Sequence, residues 1–183
     1  MPEQTLHIVL ENEDVIAVYK ASVVKPKEKR QHERSITLSC LRDLLSDDRV
    51  ELQKEKSGAP FLPNHDWNIS LSHSGPWYAF HLAKKNNAGI DIQVMRKRSL
   101  KEASSYFVSQ REKELELNEL NLHIIWCAKE AVYKYTKGTL KDDRESAIVT
   151  HIGKDTITMN FEGEEINCKY KVIEDYILVF MHN

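Results

Sequence analysis

Residues 126–134 read Trp126-Cys127-Ala128-Lys129-Glu130-Ala131-Val132-Tyr133-Lys134. Around this segment apolar residues recur at steps of three and four, which predicts a helix with one apolar face. The apolar set is Ile124, Ile125, Ala128, Ala131, Val132 and Tyr135, and the opposite face takes Trp126, Lys129, Glu130, Tyr133 and Lys134. Gly138 follows where a left-handed cap would end the helix, so the pattern predicts a helix over 124–137.

The polar face of this helix has two interpretations. Glu130 and Lys134 are four residues apart in the favourable order, so they could form a surface ion pair worth about 0.3–0.5 kcal/mol. A carboxylate beside two ammonium groups also suits phosphate chemistry. The helix alone favours the surface ion pair.

A second segment changes that balance. Ala88-Gly89-Ile90-Asp91-Ile92-Gln93 alternates as a strand, with the isoleucines on one face and Asp91 and Gln93 on the other. If the helix packs across this strand, Asp91 and Glu130 can converge on one point. Two carboxylates together with phosphate oxygens and waters suit Mg²⁺. The alternative is an edge strand with a solvated Asp91.

A third segment, Ile69-Ser70-Leu71-Ser72-His73-Ser74-Gly75, also alternates before a turn. Imidazole and hydroxyl groups at Ser72 and His73 could bind a phosphate oxygen. The alternative is a turn with a capping serine and an exposed histidine. No Gly-x-Ser-x-Gly elbow is present, so the Ser-His pair does not predict a hydrolase.

The remaining segments predict a mixture of helices and antiparallel strands. Short strands are expected at Thr5–Leu10 and Val15–Tyr19, then a helix with Ile36, Leu38, Leu41, Leu44 and Leu45 on one face, then strands at 68–73 and 77–83. Ser109 and Glu112 have the spacing of a capping box. From Ile157 onward the chain alternates as strands, with turns at Glu162-Gly163 and Glu174-Asp175, which predicts an antiparallel meander.

Taken in order, Ser-Leu-Ser-His-Ser-Gly, Gly-Ile-Asp-Ile and Trp-x-x-Lys-Glu-Ala-x-x-Lys resemble the 4′-phosphopantetheinyl transferases. The resemblance spans at least residues 56–141 and is closest to the single-chain, surfactin-synthetase-activating type. It implies an α+β fold of one domain, 1–183, built from two pseudo-symmetric halves, about 1–87 and 88–183, with a cleft between them. It also implies transfer of the 4′-phosphopantetheine arm of coenzyme A to a serine of an apo carrier protein, as in fatty-acid biosynthesis, with release of adenosine 3′,5′-bisphosphate.

The resemblance assigns roles to individual residues. Asp91 and Glu130 match metal ligands for Mg²⁺, with Mn²⁺ as an alternative, and Glu130 also matches the proposed catalytic base. Lys134 matches a catalytic lysine. The coenzyme A contacts are expected at Arg34, Ser72, His73, Lys129 and Lys134.

Two departures from the family pattern keep a second function open. Many relatives have a carboxylate where this chain has Gln93, and a lysine where it has Ala59. Gln93 could still coordinate the metal through its amide oxygen, although more weakly than a carboxylate. The alternative function is therefore a catalytically inactive module that binds coenzyme A or a carrier protein.

A basic patch follows the Asp91 strand at Arg96, Lys97, Arg98 and Lys101. Carrier proteins present acidic helices, so charge complementarity makes this patch the expected docking site. Its alternative is a solvated loop. The formal net charge of −2 gives no overall basic field, which disfavours a nucleic-acid role.

Composition sets the remaining expectations. With 183 residues, 41% of them hydrophobic, the chain can bury a substantial core. Cys40, Cys127 and Cys168 are odd in number and widely spaced, which predicts neither a disulfide framework nor a zinc site. The beginning lacks a signal-sequence pattern and no apolar run reaches membrane-spanning length. We expect a cytoplasmic monomer without a membrane or nucleic-acid partner.

Overall fold

The computed structural model describes residues 2–22, 29–95, 100–140 and 143–182. Its helices are α1 Lys29–Leu45, α2 Ser104–Phe107, α3 Glu119–Tyr135 and α4 Asp143–Ser146, with a 3₁₀ turn at Arg111–Glu114. Its strands are β1 Glu3–Val9, β2 Val15–Lys20, β3 Gln53–Lys54, β4 Pro60–Phe61, β5 Asn68–Ser74, β6 Trp77–Ala83, β7 Ile90–Val94, β8 Ala147–Ile152, β9 Thr156–Phe161, β10 Glu164–Ile173 and β11 Tyr176–Met181. None of the helices in these ranges is long and apolar enough to cross a membrane.

The first sheet has the antiparallel order β1-β2-β6-β5 and is covered on one face by α1. Alternation along β2 divides its side chains between two faces. Tyr19 lies on the face that packs against Leu41 of α1, whereas Ile16 and Val18 lie on the other face. Both faces of this strand are therefore buried.

The second sheet has the order β7-β11-β10-β9-β8, again antiparallel, and α3 covers one of its faces. Along β11, Ile177 and Val179 pack with α3. Leu178 and Phe180 instead join Ile16 and Val18 in a core between the two sheets. The fold is therefore a helix, two sheets and a second helix in successive layers, which confirms the predicted α+β class with antiparallel strands.

The two sheets are also joined where β5 runs beside β7. The Ser70 hydroxyl accepts a hydrogen bond from the backbone N–H of Ile90 at 3.2 Å. The Ser74 hydroxyl accepts one from the backbone N–H of Val94, also at 3.2 Å. Serines on one face of β5 thus bind the edge of β7 that has no neighbouring strand in its own sheet, and they leave Ser72, between them, opposite Asp91.

Gly89 allows α3 to lie unusually close to the start of β7. A β-carbon at this position would overlap the Ala131 carbonyl oxygen and lie 2.6 Å from Cγ of Met181. Glycine is required here because nothing larger fits between the helix and the strand. This close approach brings the second half of α3 over Asp91.

Most predicted elements are confirmed, and the differences are local. The α3 helix begins at Glu119, five residues earlier than predicted, because the Asn118 side chain caps it by accepting a hydrogen bond from the Asn121 backbone N–H at 2.9 Å. It ends at Tyr135, with Lys137 and Gly138 both at positive φ. Strand β8, at Ala147–Ile152, was not predicted.

Candidate active site

Asp91 lies at the centre of the candidate site. Its side chain is 2% exposed, and the Lys134 ammonium group donates to Oδ1 at 2.6 Å. The Ser72 hydroxyl donates to the same oxygen at 2.7 Å. Strand β7, helix α3 and strand β5 each contribute one of these three residues, so the cluster joins both sheets.

The second oxygen of Asp91 has a different environment. Oδ2 is buried and has no hydrogen-bond partner in the described part of the chain. A buried carboxylate oxygen without a partner is costly. Lys134 and Ser72 hold Oδ1, and the Cys127 thiol also lies near the carboxylate, so Oδ2 is the oxygen for which the described residues provide no nitrogen or oxygen donor.

Glu130 lies on the same helix as Lys134, and its charge acts on the buried Cys127 thiol. Burial raises the pKa of the Cys127 thiol well above its usual value, and Asp91 raises it further. Lys134 lowers this pKa and the charge of Glu130 raises it. Cys127, Glu130 and Lys134 follow one another at steps of three and four residues on α3, so they share one side of the helix, and Lys134 on that side contacts Asp91.

The prediction that Lys129 lies on the polar face of α3 is wrong. Its side chain is 1% exposed, and its ammonium group lies 3.0 Å from Oε2 of Glu112, which is itself fully buried. The Glu112 carboxylate also accepts from the backbone N–H groups of Ser109 at 2.7 Å and Val149 at 2.8 Å. Lys129 thus fastens α3 to the 3₁₀ turn and β8, and its expected contact with coenzyme A loses its structural basis.

His73 and Arg34 lie in a separate group on the α1 side. The side chains of neighbouring strand residues point to opposite faces, so His73 points away from Ser72. Nε2 of His73 lies 3.1 Å from Oε1 of Glu33, and its ring stacks on Tyr78 with centroids 5.6 Å apart. Arg34, which follows Glu33 on α1, is exposed. His73 thus contacts α1 at Glu33, the residue before Arg34, and the described contacts of His73 do not include the Asp91 cluster.

The other predicted residues are placed less centrally. Gln93 is half-buried on β7, two residues from Asp91, and its backbone faces Ile177 of β11. Lys101 is exposed. Arg96, Lys97 and Arg98 lie outside the described residues, so their predicted docking role stays a prediction.

A cavity of about 330 Å³ adjoins the Asp91 cluster. It lies between the β3–β4 hairpin, β5 and the end of α3, and most of its lining is apolar or backbone. The apolar side chains include Leu52, Pro60, Ile69, Leu71 and Tyr133. Three lysines, Lys54, Lys134 and Lys137, also line it. An apolar cavity with ammonium groups on its walls suits a ligand that combines an apolar part with anionic groups.

The donor set fits a hard divalent cation. Among the described residues, no group of three or more His, Cys, Asp or Glu side chains could hold a metal ion. Mg²⁺ does not need such a group, because it keeps several waters and binds through one or two carboxylates plus substrate phosphates. Asp91, with its unpartnered oxygen, is the candidate for one such carboxylate, and Glu130 stays the predicted second one.

Sequence reasoning missed two residues of this region. Lys137 lines the cavity, and its ammonium group lies 3.0 Å from Oε1 of Glu55 in the β3–β4 hairpin. Glu112 was recognised as half of a capping box, which the structure confirms, but not as the partner of Lys129. The sequence does contain a signal for that second role. Lys129 follows Ile125 by four residues and precedes Val132 by three, which places it on the buried side of α3, where a lysine needs a carboxylate partner.

The protein has an α+β fold in which a buried carboxylate–lysine cluster joins two antiparallel sheets. The cavity beside this cluster is lined by lysines, so the site suits an anionic ligand. A sequence model of the 4′-phosphopantetheinyl transferase superfamily matches residues 87–181. The match covers more than half of the chain, and the protein therefore belongs to this superfamily. It includes Asp91, Glu112, Glu130 and Lys134 and excludes Arg34, Ser72 and His73. A comparison with curated proteins finds no match.

Proposed function

We propose that the protein transfers the 4′-phosphopantetheine arm of coenzyme A to a serine of an apo carrier protein and releases adenosine 3′,5′-bisphosphate. The observation that carries the proposal is the buried Asp91 carboxylate, with Oδ1 held by Lys134 and Ser72 and Oδ2 without a hydrogen-bond partner. Because the chain belongs to the 4′-phosphopantetheinyl transferase superfamily, we take phosphopantetheinyl transfer as the reaction of this cluster.

In this proposal the chain's own residues supply positioning, charge and a base. Asp91 and Glu130 would hold Mg²⁺, with Mn²⁺ as an alternative, and a bound divalent cation would offset the negative charge of the pyrophosphate. Lys134 is 26% exposed on its side chain, so its ammonium group can also meet a phosphate oxygen or the leaving group. Catalysis is then mainly positioning and electrostatics.

The proposed reaction forms one bond to phosphorus and breaks another. The carrier serine oxygen bonds to the β-phosphorus of coenzyme A, and the bond from that phosphorus to the oxygen of the leaving adenosine 3′,5′-bisphosphate breaks. The serine proton passes to Glu130, directly or through a water. Lys134 stabilises the negative charge on the departing phosphate, or protonates it.

The partner follows from charge. We propose that Lys101, with Arg96, Lys97 and Arg98, receives the acidic helix of an apo carrier protein, such as a carrier of fatty-acid biosynthesis. We further propose that the halves at about 1–87 and 88–183 act as one monomeric domain in the cytoplasm, and that Arg34 and His73 contact coenzyme A from the first half.

The second candidate function is a module that binds coenzyme A or a carrier protein without transferring anything. Two features favour it. The amide of Gln93 is a weaker metal ligand than a carboxylate, and Ala59 lines the cavity where relatives have a lysine.

Substitution at the cluster separates these functions. We expect Glu130→Gln to lower the transfer rate by about a hundredfold or more, the usual contribution of a general base, and Asp91→Asn to weaken Mg²⁺ binding measured by calorimetry. Glu116→Gln, at an exposed position, is the matched control. If Glu130→Gln retained the wild-type rate while circular dichroism showed a native fold, the role assigned to Glu130 would be wrong.

A further inference from the structure

His81, on β6, is a buried histidine outside the Asp91 cluster, and its ring contacts the backbone at the start of β7. Nδ1 lies 3.2 Å from the backbone nitrogen of Gly89 and 3.1 Å from its carbonyl oxygen. On the other side of the ring, Nε2 lies 3.5 Å from Oδ2 of Asp14, the residue before β2. The side chains of His81 and Asp14 are only 2% and 7% exposed. The ring therefore lies between a buried carboxylate of the first half and the backbone that leads into the second sheet.

The charge of Asp14 selects the tautomer of the neutral ring. A carboxylate favours the tautomer whose N–H points toward it, so the proton of His81 resides on Nε2. Nδ1 is then an acceptor, and the donor within its reach is the N–H of Gly89. Asp14 is itself held in place, because Oδ1 accepts a hydrogen bond from the backbone N–H of Lys84 at 3.1 Å and Oδ2 accepts one from the Asn12 side chain at 2.8 Å.

His81 shares this hold on β7 with Ser70, its partner in the pairing of β5 with β6. Nδ1 of His81 faces the Gly89 N–H, and the Ser70 hydroxyl accepts from the next N–H, that of Ile90. Two neighbouring side chains of the first sheet thus hold two consecutive backbone N–H groups just before Asp91. A buried N–H that lost its acceptor would be costly, so these contacts fix where β7 begins.

We propose that His81 and Asp14 are positioning residues for the Asp91 site. The neutral imidazole accepts the Gly89 N–H and thereby holds the start of β7, two residues before Asp91, against the first sheet. The inference rests on the proposed function, since it takes Asp91 as a metal ligand. Gly89 is also the residue at which α3 approaches β7 closely. A shift of its backbone therefore changes the 2.6 Å contact between Asp91 and Lys134.

Protonation of the ring removes this acceptor. Burial lowers the pKa of His81, although Gly89 and Asp14 oppose this shift, and of these two only Asp14 is charged. The residues opposite His81 in the flanking strands, Ile16 and Ser70, are uncharged. In the protonated ring Nδ1 carries a hydrogen, so it can donate to the Gly89 carbonyl oxygen but cannot accept from the Gly89 N–H. Acid should therefore loosen the start of β7 and weaken the metal site.

Two substitutions separate positioning from burial. Asparagine can present its amide oxygen near the position of Nδ1, so His81→Asn keeps an acceptor for Gly89 but does not titrate. His81→Leu fills a similar volume without an acceptor. The matched control is His123→Leu. His123 is also buried, and its Nδ1 also contacts a backbone carbonyl, that of Glu119 at 2.8 Å, but it lies at the opposite end of α3 from Lys134.

The direct readout is NMR of the full chain labelled with ¹⁵N. An N–H···N hydrogen bond gives a scalar coupling between its two nitrogens. We expect this coupling between the Gly89 nitrogen and Nδ1 of His81 at roughly pH 7.5, above the ordinary histidine pKa, and its loss as the ring is protonated. This readout does not depend on transfer activity or on a bound metal.

The functional readout is the affinity for Mg²⁺ in the presence of coenzyme A, measured by calorimetry at roughly pH 7.5 and pH 5.5, on either side of that pKa. We expect His81→Leu to weaken Mg²⁺ binding about tenfold at the higher pH, as for one buried N–H left without an acceptor. His81→Asn should match the wild type there and should lose less affinity than the wild type at the lower pH. His123→Leu should follow the wild type at both.

A missing coupling in the wild type at the higher pH would overturn the proposal, as would equal Mg²⁺ affinities for His81→Leu and His123→Leu. If His81→Leu does not fold, Asp14→Asn takes its place. This variant removes the charge that selects the tautomer, so it should weaken both the coupling and Mg²⁺ binding. A wild type that shows the coupling but binds no Mg²⁺ would overturn the inference together with the proposed metal site. A variant that loses the coupling but keeps its Mg²⁺ affinity would overturn only the positioning role.

Discussion

The buried ion pair between Lys129 and Glu112 gives the sharpest stability prediction. Both side chains are almost inaccessible, at 1% and 0% exposure, and the Nζ–Oε2 distance is 3.0 Å. Lys129→Met leaves a buried carboxylate with its two backbone N–H donors but without its counter-charge. Loss of one partner from a buried pair costs about 3–5 kcal/mol. We expect that loss in the free energy of unfolding, and a similar loss for Glu112→Gln.

The double variant isolates the pair from its surroundings. Lys129→Met together with Glu112→Gln leaves no uncompensated charge, so its loss should be at least about 2 kcal/mol smaller than the sum of the single losses. The matched control is Lys84→Met. Lys84 lies 2.9 Å from Glu13, nearly the same distance, but the two side chains are 47% and 70% exposed. An exposed pair is worth about 0–1 kcal/mol.

Urea unfolding, followed by tryptophan fluorescence, measures these free energies. Trp126 is a suitable reporter, because its ring packs edge-on against Phe107 at 5.2 Å within the affected region. If Lys129→Met cost no more than Lys84→Met, or if the two single losses added without coupling, the structural role of Lys129 would be refuted. If the double variant were folded but bound coenzyme A weakly, this result would support the predicted contact between Lys129 and coenzyme A.

Two further predictions concern the junction of the two sheets. Gly89→Ala should lower the free energy of unfolding by about 1–3 kcal/mol through overpacking against Ala131; a urea midpoint equal to that of the wild type would contradict the close approach. Burial lowers the pKa of His81, although Asp14 and Gly89 oppose this shift. The neutral form of His81 therefore stabilises the fold at pH values above the ordinary histidine pKa of about 6.5. As the pH decreases from that value, the free energy of unfolding decreases by at most about 1.4 kcal/mol per pH unit. His81→Asn should reduce the pH dependence of the free energy of unfolding over roughly pH 5.5–7.5, the range around that pKa. His7→Asn, at an exposed position, should retain this pH dependence.

The sequence predicted the elements of the candidate site better than their contacts. The period of three and four located α3, and alternation located β7 with Asp91 on the face away from the isoleucines. Both patterns are local, so a single chain reveals them. That Asp91 and Glu130 converge stays a prediction, because it depends on how α3 packs across β7 and no local pattern shows that.

The errors arose where the tertiary structure changes the meaning of a local pattern. The period of the apolar residues places Lys129 on the polar side of α3, together with Glu130 and Lys134. Its neighbours one turn away, Ile125 and Val132, are both buried, and Glu112 from another element supplies the counter-charge that a buried cation needs. The cavity at Lys137 could not be predicted, since it requires the β3–β4 hairpin to lie against the end of α3.

Ser72 and His73 show a related limit. The sequence predicts one cluster of donors at these residues, although adjacent strand residues point to opposite faces. The structure separates them, with Ser72 bound to Asp91 and His73 beside Glu33. A ligand that contacts both residues would have to extend around the end of β5.

The central claim, phosphopantetheinyl transfer, is tested most directly by the mass of a carrier protein. An apo carrier protein is incubated with the chain, coenzyme A and Mg²⁺ and then weighed by mass spectrometry, with a reaction lacking the metal as the control. The account predicts a metal-dependent gain of one phosphopantetheine group on the carrier serine. An unchanged carrier mass, under conditions in which calorimetry shows that coenzyme A is bound, would contradict the account and favour the binding module.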